Sequence, residues 1–305
     1  MTDEAPVEEG AAPRPDDELR IVVGYTADDS GADALALAAR IAGATEGRLE
    51  VVLVLPIEAR GGVVPPDPGY ERHVKERGRN WLAEASAAIG DEIAQALHIR
   101  YAESFAEGLT TAAHEFGASL IVVGAARGGL LGRARVGSVA GELLHSSDVP
   151  VALAPAGSRD IRPGQGVTRV TTAVGTRPGA DRLLEASVAL ARAAHAPLRL
   201  VSLVPIDLPA GLDAELAHLT STTHAEEVLE AARAALPDGI DVTAQVATGE
   251  TVEEAVKALD WHAGELVLVG SSRLAAPRRL FLGSTAAKML RELPVPMIVV
   301  PRTRG

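Results

Sequence analysis

Residues 120–138 read LIVVGAARGGLLGRARVGS, and residues 266–284 read LVLVGSSRLAAPRRLFLGS. Each begins with a run of four apolar residues and a glycine, Leu120 to Gly124 and Leu266 to Gly270. Such a run, bounded by a turn residue, reads as a strand buried on both faces. A long loop follows each, then a Gly-Ser pair, Gly137-Ser138 and Gly283-Ser284, that opens a helical stretch. The same word at the same internal spacing, 146 residues apart, marks an internal repeat.

Working outward, other features recur at an offset of about 146 to 149 residues. Strand Arg20 to Tyr25 has its counterpart in Arg169 to Val174. Strand Leu49 to Leu55, ended by Pro56, matches Leu198 to Val204, ended by Pro205. Ser104 with Glu107 and Thr251 with Glu254 each have capping-box spacing, in which two side chains satisfy backbone N–H groups at a helix start. The final strands, Val149 to Ala154 and Val295 to Val300, share a Val-Pro-Val type of opening. Helices are predicted over Gly31–Ala42, Tyr70–Leu97 and Ala180–Ala194, with a strand near Ile99–Ala102. Trp81 and Trp261 are placed on helices as packing residues.

A chain of 305 residues is long enough for two domains. The boundaries expected are an acidic, Pro- and Ala-rich disordered tail over 1–18, a first domain over 19–156, a linker over 157–166 and a second domain over 167–305. Strands alternating with helices imply parallel strands joined by right-handed crossovers. The predicted class is therefore α/β, as two tandem, open, parallel five-stranded sheets with helices on both faces. In such sheets ligands bind beyond the carboxyl ends of the strands where strand order reverses, which directs attention to the loops after the first and fourth strands of each half.

Composition narrows the function. A net charge of −12 argues against binding to nucleic acid or anionic lipid, both of which need a basic surface. With no cysteine there is no thiolate nucleophile, disulfide or Cys-based metal site. Neither a signal peptide nor a membrane-spanning run is read from the sequence, so a cytoplasmic location is expected. The histidines form no metal-binding pattern, and no nucleophile, base and orienting group assemble into a catalytic set.

The paired motif resembles the signature of universal stress proteins: glycine, two residues, glycine, nine residues, glycine, then serine or threonine. The resemblance extends from about Arg20 to Pro301. It implies a non-catalytic or very weakly hydrolytic regulator of stress adaptation that binds an adenine nucleotide, ATP, through a degenerate form of the motif. Gly124, Gly128, Gly137, Ser138 and Val139 would surround the phosphates in the first half, with Val54 bordering the base. Gly270, Gly283 and Ser284 are their second-half equivalents. A strand-end glycine permits close approach of backbone to ligand, and a Gly-Ser at a helix N-terminus offers N–H groups and a hydroxyl to an anion. On the plainer reading Ser138 and Ser284 are N-caps.

The departures from the signature are specific. Its second glycine is Arg127 in the first half and Arg273 in the second. Gly128 stands ready to replace it in the first half alone, which favours that half as the ATP site. The loop arginines are phosphate ligands or solvated charge. The family's aspartate after the first strand is Thr26 here, and Gly175 in the second half, leaving Asp28 or Asp29 as substitutes if the loop slips. Ser30-Gly31-Ala32-Asp33 faintly resembles the loop of ATP pyrophosphatases but lacks its paired glycines. The resemblance further implies an intramolecular pseudo-dimer of the two halves and leaves room for a homodimer of whole chains. The alternative function is an interaction module of the same fold without nucleotide; an ATP-dependent enzyme is the third.

Overall fold

The computed structural model describes residues 18–57, 68–127, 134–135, 137–175, 180–205, 214–272 and 280–301. The tail expected over 1–18 lies, except for Glu18, outside the described residues, as do Gly128 and Arg273.

In the first half the order is β1 (Arg20–Gly24), α1 (Asp29–Thr45), β2 (Arg48–Pro56), α2 (Pro68–Ile89), β3 (Gln95–Ala102), α3 (Phe105–Phe116) and β4 (Leu120–Gly124). Two short strands, β5 (Ala126–Arg127) and β6 (Ala134–Arg135), pair antiparallel at the neck of the motif loop, and α4 (Ser138–Ser146) leads to β7 (Val151–Ala154). Two 3-10 turns, Ser158–Asp160 and Pro163–Gln165, connect to β8 (Arg169–Ala173), α5 (Ala180–Ala193), β9 (Leu198–Pro205) and α6 (Ala214–Ala234). The chain then runs through β10 (Val242–Gly249), α7 (Val252–Lys257), β11 (Glu265–Gly270), α8 (Ser284–Glu292) and β12 (Met297–Val300).

The sheet order is β3-β2-β1-β4-β7 in the first half and β10-β9-β8-β11-β12 in the second, parallel within each. The two five-stranded sheets expected from the sequence are in fact one sheet of ten strands, because β7 and β12 pair antiparallel, Leu153 opposite Met297 and Ala152 opposite Ile298. These strands are buried along their whole length. Pairing them satisfies two edges that would otherwise expose bare N–H and C=O groups. The halves also interlock: Leu280 N–H donates to Ser147 O at 2.8 Å, and the Phe281 ring stands edge-on to His145.

Both capping boxes form. Ser104 Oγ accepts from Glu107 N–H at 3.1 Å and Thr251 Oγ1 from Glu254 N–H at 3.2 Å, while each glutamate reaches back to the N–H before the cap. Five boundaries differ from expectation. α1 starts at Asp29, earlier than Gly31, because the Asp28 carboxylate caps it by accepting from Gly31 N–H at 2.9 Å. α2 stops at Ile89, well short of Leu97, where Gly90 takes a φ of 86° that a helix cannot continue. The freed residues from Gln95 onward extend β3 along β2. The last strands begin after Pro150 and Pro296, which have no N–H to give; their carbonyls accept from Ile121 and Val267 instead. Trp261 stands in the loop after α7, outside any helix, with its Nε1–H donating to Val256 O.

Helix α1 is apolar almost all round, with Ala34, Leu37, Ala38, Ile41 and Ala42 buried against the sheet. Its polar residues have structural tasks. Asp33 Oδ1 accepts from the N–H groups of Gly157 and Arg159, both at 3.1 Å, and Arg159 pairs with Asp29 at 2.8 Å. The pyrophosphatase-like segment is therefore the clamp that docks the interdomain turn. Gly31 is required there, since a Cβ would stand 1.8 Å from Thr26 O.

Arg40 on the same helix is 1% exposed, and none of its guanidinium nitrogens finds a hydrogen-bond partner among the described residues. Burial pulls its pKa below the ordinary arginine value. An uncompensated buried charge is unfavourable, and methionine keeps the packing of the stem. Arg40→Met is expected to raise stability by about 1–3 kcal/mol, read as a higher urea midpoint. A lower midpoint would show that the guanidinium is satisfied in solution.

Candidate functional site

Strand order reverses between β1 and β4 in the first half and between β8 and β11 in the second. At both points the carboxyl end of the fourth strand is a motif glycine, and the motif Gly-Ser opens the helix that follows.

In the first half the start of α1 packs closely on the end of β4. A Cβ on Gly124 would stand 2.2 Å from both the carbonyl oxygen and Oγ of Ser30, at the start of α1. The glycine is there so that α1 can sit on the end of β4, a different reason from the ligand approach expected of it. Thr26 Oγ1 donates to Asp28 Oδ1 at 2.7 Å, and that same oxygen caps α1. One oxygen of Asp28 is thereby engaged at the start of α1, and Asp29 is paired with Arg159. Tyr25 beside them is buried, which raises its pKa, helped by the charges of Glu84 and Asp28. Val54 packs on α3, its methyls 2.7 and 2.8 Å from where a Cβ on Gly108 would be, so it belongs to the core. Gly137 is the N-cap of α4; Ser138 follows it as an exposed first helical residue, and Val139 packs partly buried on the core. Arg127 contributes backbone to β5.

The described residues of the second half form a cleft at the equivalent place. A cleft of 470 Å³ lies at the carboxyl ends of β8, β9 and β11, within the roughly 300–1,000 Å³ of small-molecule sites. Gly175, Gly270 and Gly283 line it together with Leu183, Val204 and Val228. A Cβ on Gly270 would meet only Leu183 Cδ2, at 3.8 Å, and one on Gly175 nothing within 4 Å. No described protein atom explains why these positions are glycine.

The anion-binding element is also present. Gly283 is the N-cap of α8 and supplies no side-chain bond, so the expectation that Ser284 caps the helix is corrected: it is the exposed first helical residue. Ala287 N–H bonds Gly283 O at 2.9 Å. The N–H groups before it have no acceptor within the helix, and with the positive end of the dipole they face the mouth of the cleft. Ser271 ties the neck of the motif loop, its Oγ accepting from Phe281 N–H at 2.7 Å. The sequence reading named Gly270, Gly283 and Ser284, and singled out Gly175 as the position lacking aspartate. It missed Leu183, Ser202, Val204 and Thr285, whose presence in the lining depends on tertiary packing.

Among the described residues no group of three or more His, Asp or Glu residues is placed to hold a metal ion. No helix among them is long and apolar enough to cross a membrane.

The fold and cleft define a tandem, doubly wound α/β protein whose pseudo-symmetric halves share one sheet. The profile of the universal stress protein family matches residues 19–155 and again 166–301. Universal stress proteins of Mycobacterium tuberculosis and Mycobacterium bovis are each 32% identical over 303 residues, covering 93% of this chain and 100% of the relative. A crystal structure of a universal stress protein from Archaeoglobus fulgidus superposes with a TM-score of 0.66 at 18% identity, covering 93% of this chain and 98% of that one. The chain belongs to the universal stress protein family.

Proposed function

We propose that this chain is a non-catalytic regulator of stress adaptation, acting in the cytoplasm, that holds one adenine nucleotide in the cleft of its second half. The observation that carries this reading is the pair of unobstructed glycines, Gly175 and Gly270, opening onto the uncapped N-terminus of α8. Apolar walls suit a flat ring, and the helix end suits a phosphate. This reverses the preference for the first half as the ATP site, because there Ser30 stands over Gly124 and Asp28 is engaged. The first half is then read as the scaffold that docks the interdomain turn, which retains the interaction-module function in one half of the chain. The β7–β12 seam completes the pseudo-dimer internally and leaves β3 and β10 as the sheet edges for a homodimer of whole chains.

The test is calorimetric titration of nucleotide-free protein with ATP, together with thermal melts. One ATP per chain is expected, with stabilisation of about 2.7 kcal/mol at a hundredfold excess over Kd. Gly283→Trp, at the mouth of the cleft, should abolish both, and Gly137→Trp should leave them. No heat of binding in the unsubstituted protein would leave the whole chain as an interaction module.

A further inference from the structure

One residue of the second-half cleft differs in size from its first-half counterpart. The two halves share strand register, Val23 opposite Val51 in one and Thr172 opposite Leu200 in the other, which places Ser202 of β9 where β2 has Leu53. Leu53 is buried, with Cδ2 3.0 Å from the Cβ position of Gly78 on α2, and it fills the space between strand and helix. Ser202 is too short to do so, and the volume that leucine occupies in the first half is part of the cleft in the second.

The Ser202 hydroxyl is also available to a ligand. The residue is 7% exposed, it lines the cleft, and no described residue hydrogen-bonds its hydroxyl. A hydroxyl that opens onto a cleft and is not engaged by the protein can exchange its water for a polar group of the ligand. Leu183, Val204, Ala225 and Val228 line the same cleft, apolar surroundings for a flat ring. A hydroxyl can donate to a ring nitrogen or accept from an exocyclic amine.

We propose that Ser202 is the specificity-determining residue of this cleft, its hydroxyl bonding the polar edge of the ligand's purine ring while the phosphates lie at the N-terminus of α8. This rests on the nucleotide reading above. A group placed to bond a ring substituent discriminates against an analogue that cannot present it, because the analogue leaves that group without its partner in the complex.

The experiment is titration of the full chain and of three variants, Ser202→Ala, Ser202→Thr and Ser202→Leu, with ATP and with inosine triphosphate, which differs at the ring edge. Thermal melts check the fold of each. Ser202→Ala is expected to bind ATP about tenfold more weakly and to lose most of the preference between the two nucleotides. Ser202→Thr, which keeps the hydroxyl, should retain that preference. Ser202→Leu should rebuild the first-half packing, melt no lower than the unsubstituted protein, and bind ATP at least about a hundredfold more weakly. If Ser202→Ala binds both nucleotides within twofold of the unsubstituted protein, the proposal falls while the nucleotide reading stands. If the unsubstituted protein binds neither, both fall.

Discussion

A Glu265→Ala variant is expected to lose about 3–5 kcal/mol of stability, the range for breaking one side of a buried ion network. Glu265 is 0% exposed at the amino end of β11. Oε1 takes Arg199 Nη2 at 2.7 Å and a short bond from the Thr171 hydroxyl, while Oε2 takes Arg169 Nη2 at 2.7 Å and His262 N–H at 3.1 Å. Arg199 is nearly as deep and stacks on Trp261. Burial lowers its pKa, and the Glu265 charge is the chief opposing influence. Remove the carboxylate and two guanidinium groups are left facing each other, one of them without access to water. A urea midpoint for the variant within error of the unsubstituted protein would show that water or the Asp260 carbonyl compensates fully. The double replacement Arg199→Leu with Glu265→Leu should recover much of the loss, since apolar residues of similar volume replace buried ion networks at little cost.

That network was not legible in the sequence, whose acidic residues read as solvated helix faces. Glu265 sits directly before Leu266 to Gly270, and Arg199 interrupts the apolar run of β9; each is a single charge at a strand position, and only the fold brings the two strands together through β8. What was legible is local or periodic. The apolar runs ended by Gly124, Pro56, Gly270 and Pro205 are strands because their pattern does not depend on a partner, and the Ser104 and Thr251 capping boxes work within one turn of chain. The duplication was legible, and with it the alternation of strands and helices in each half. The join between the halves was expected from family resemblance, but its consequence, one sheet in place of two, needed the antiparallel register of Leu153 with Met297. Ser202 was invisible for a related reason. Inside Leu200-Val201-Ser202-Leu203-Val204 it reads as one more strand residue, and its significance appears when Leu53 is seen in the same place with its space filled.

The motif glycines show most directly where sequence alone stops, because Gly124 and Gly270 hold the same place in the same word and are predicted to behave oppositely. Gly124→Ala should destabilise the chain by about 3 kcal/mol, the upper part of the overpacking range. Its new methyl would fall 2.2 Å from the backbone oxygen of Ser30, and the obstruction is main chain at the start of α1, which is itself fixed by the Asp28 cap and the Asp33 clamp. Gly270→Ala meets no such barrier. Its nearest described atom is Leu183 Cδ2 at 3.8 Å, an ordinary van der Waals contact, and its backbone has no positive φ to strain. Alanine there should be neutral or stabilise by up to about 1 kcal/mol through the unfolded chain, yet it projects into the cleft and should weaken ATP by about tenfold or more. Urea midpoints and ATP titrations of the two variants separate the roles. Equal destabilisation by both would mean that Gly270 is a packing glycine like its counterpart and that the cleft closes in solution. A stable Gly270→Ala chain that has lost its nucleotide would place the ligand against β11, on the side where the protein has left room.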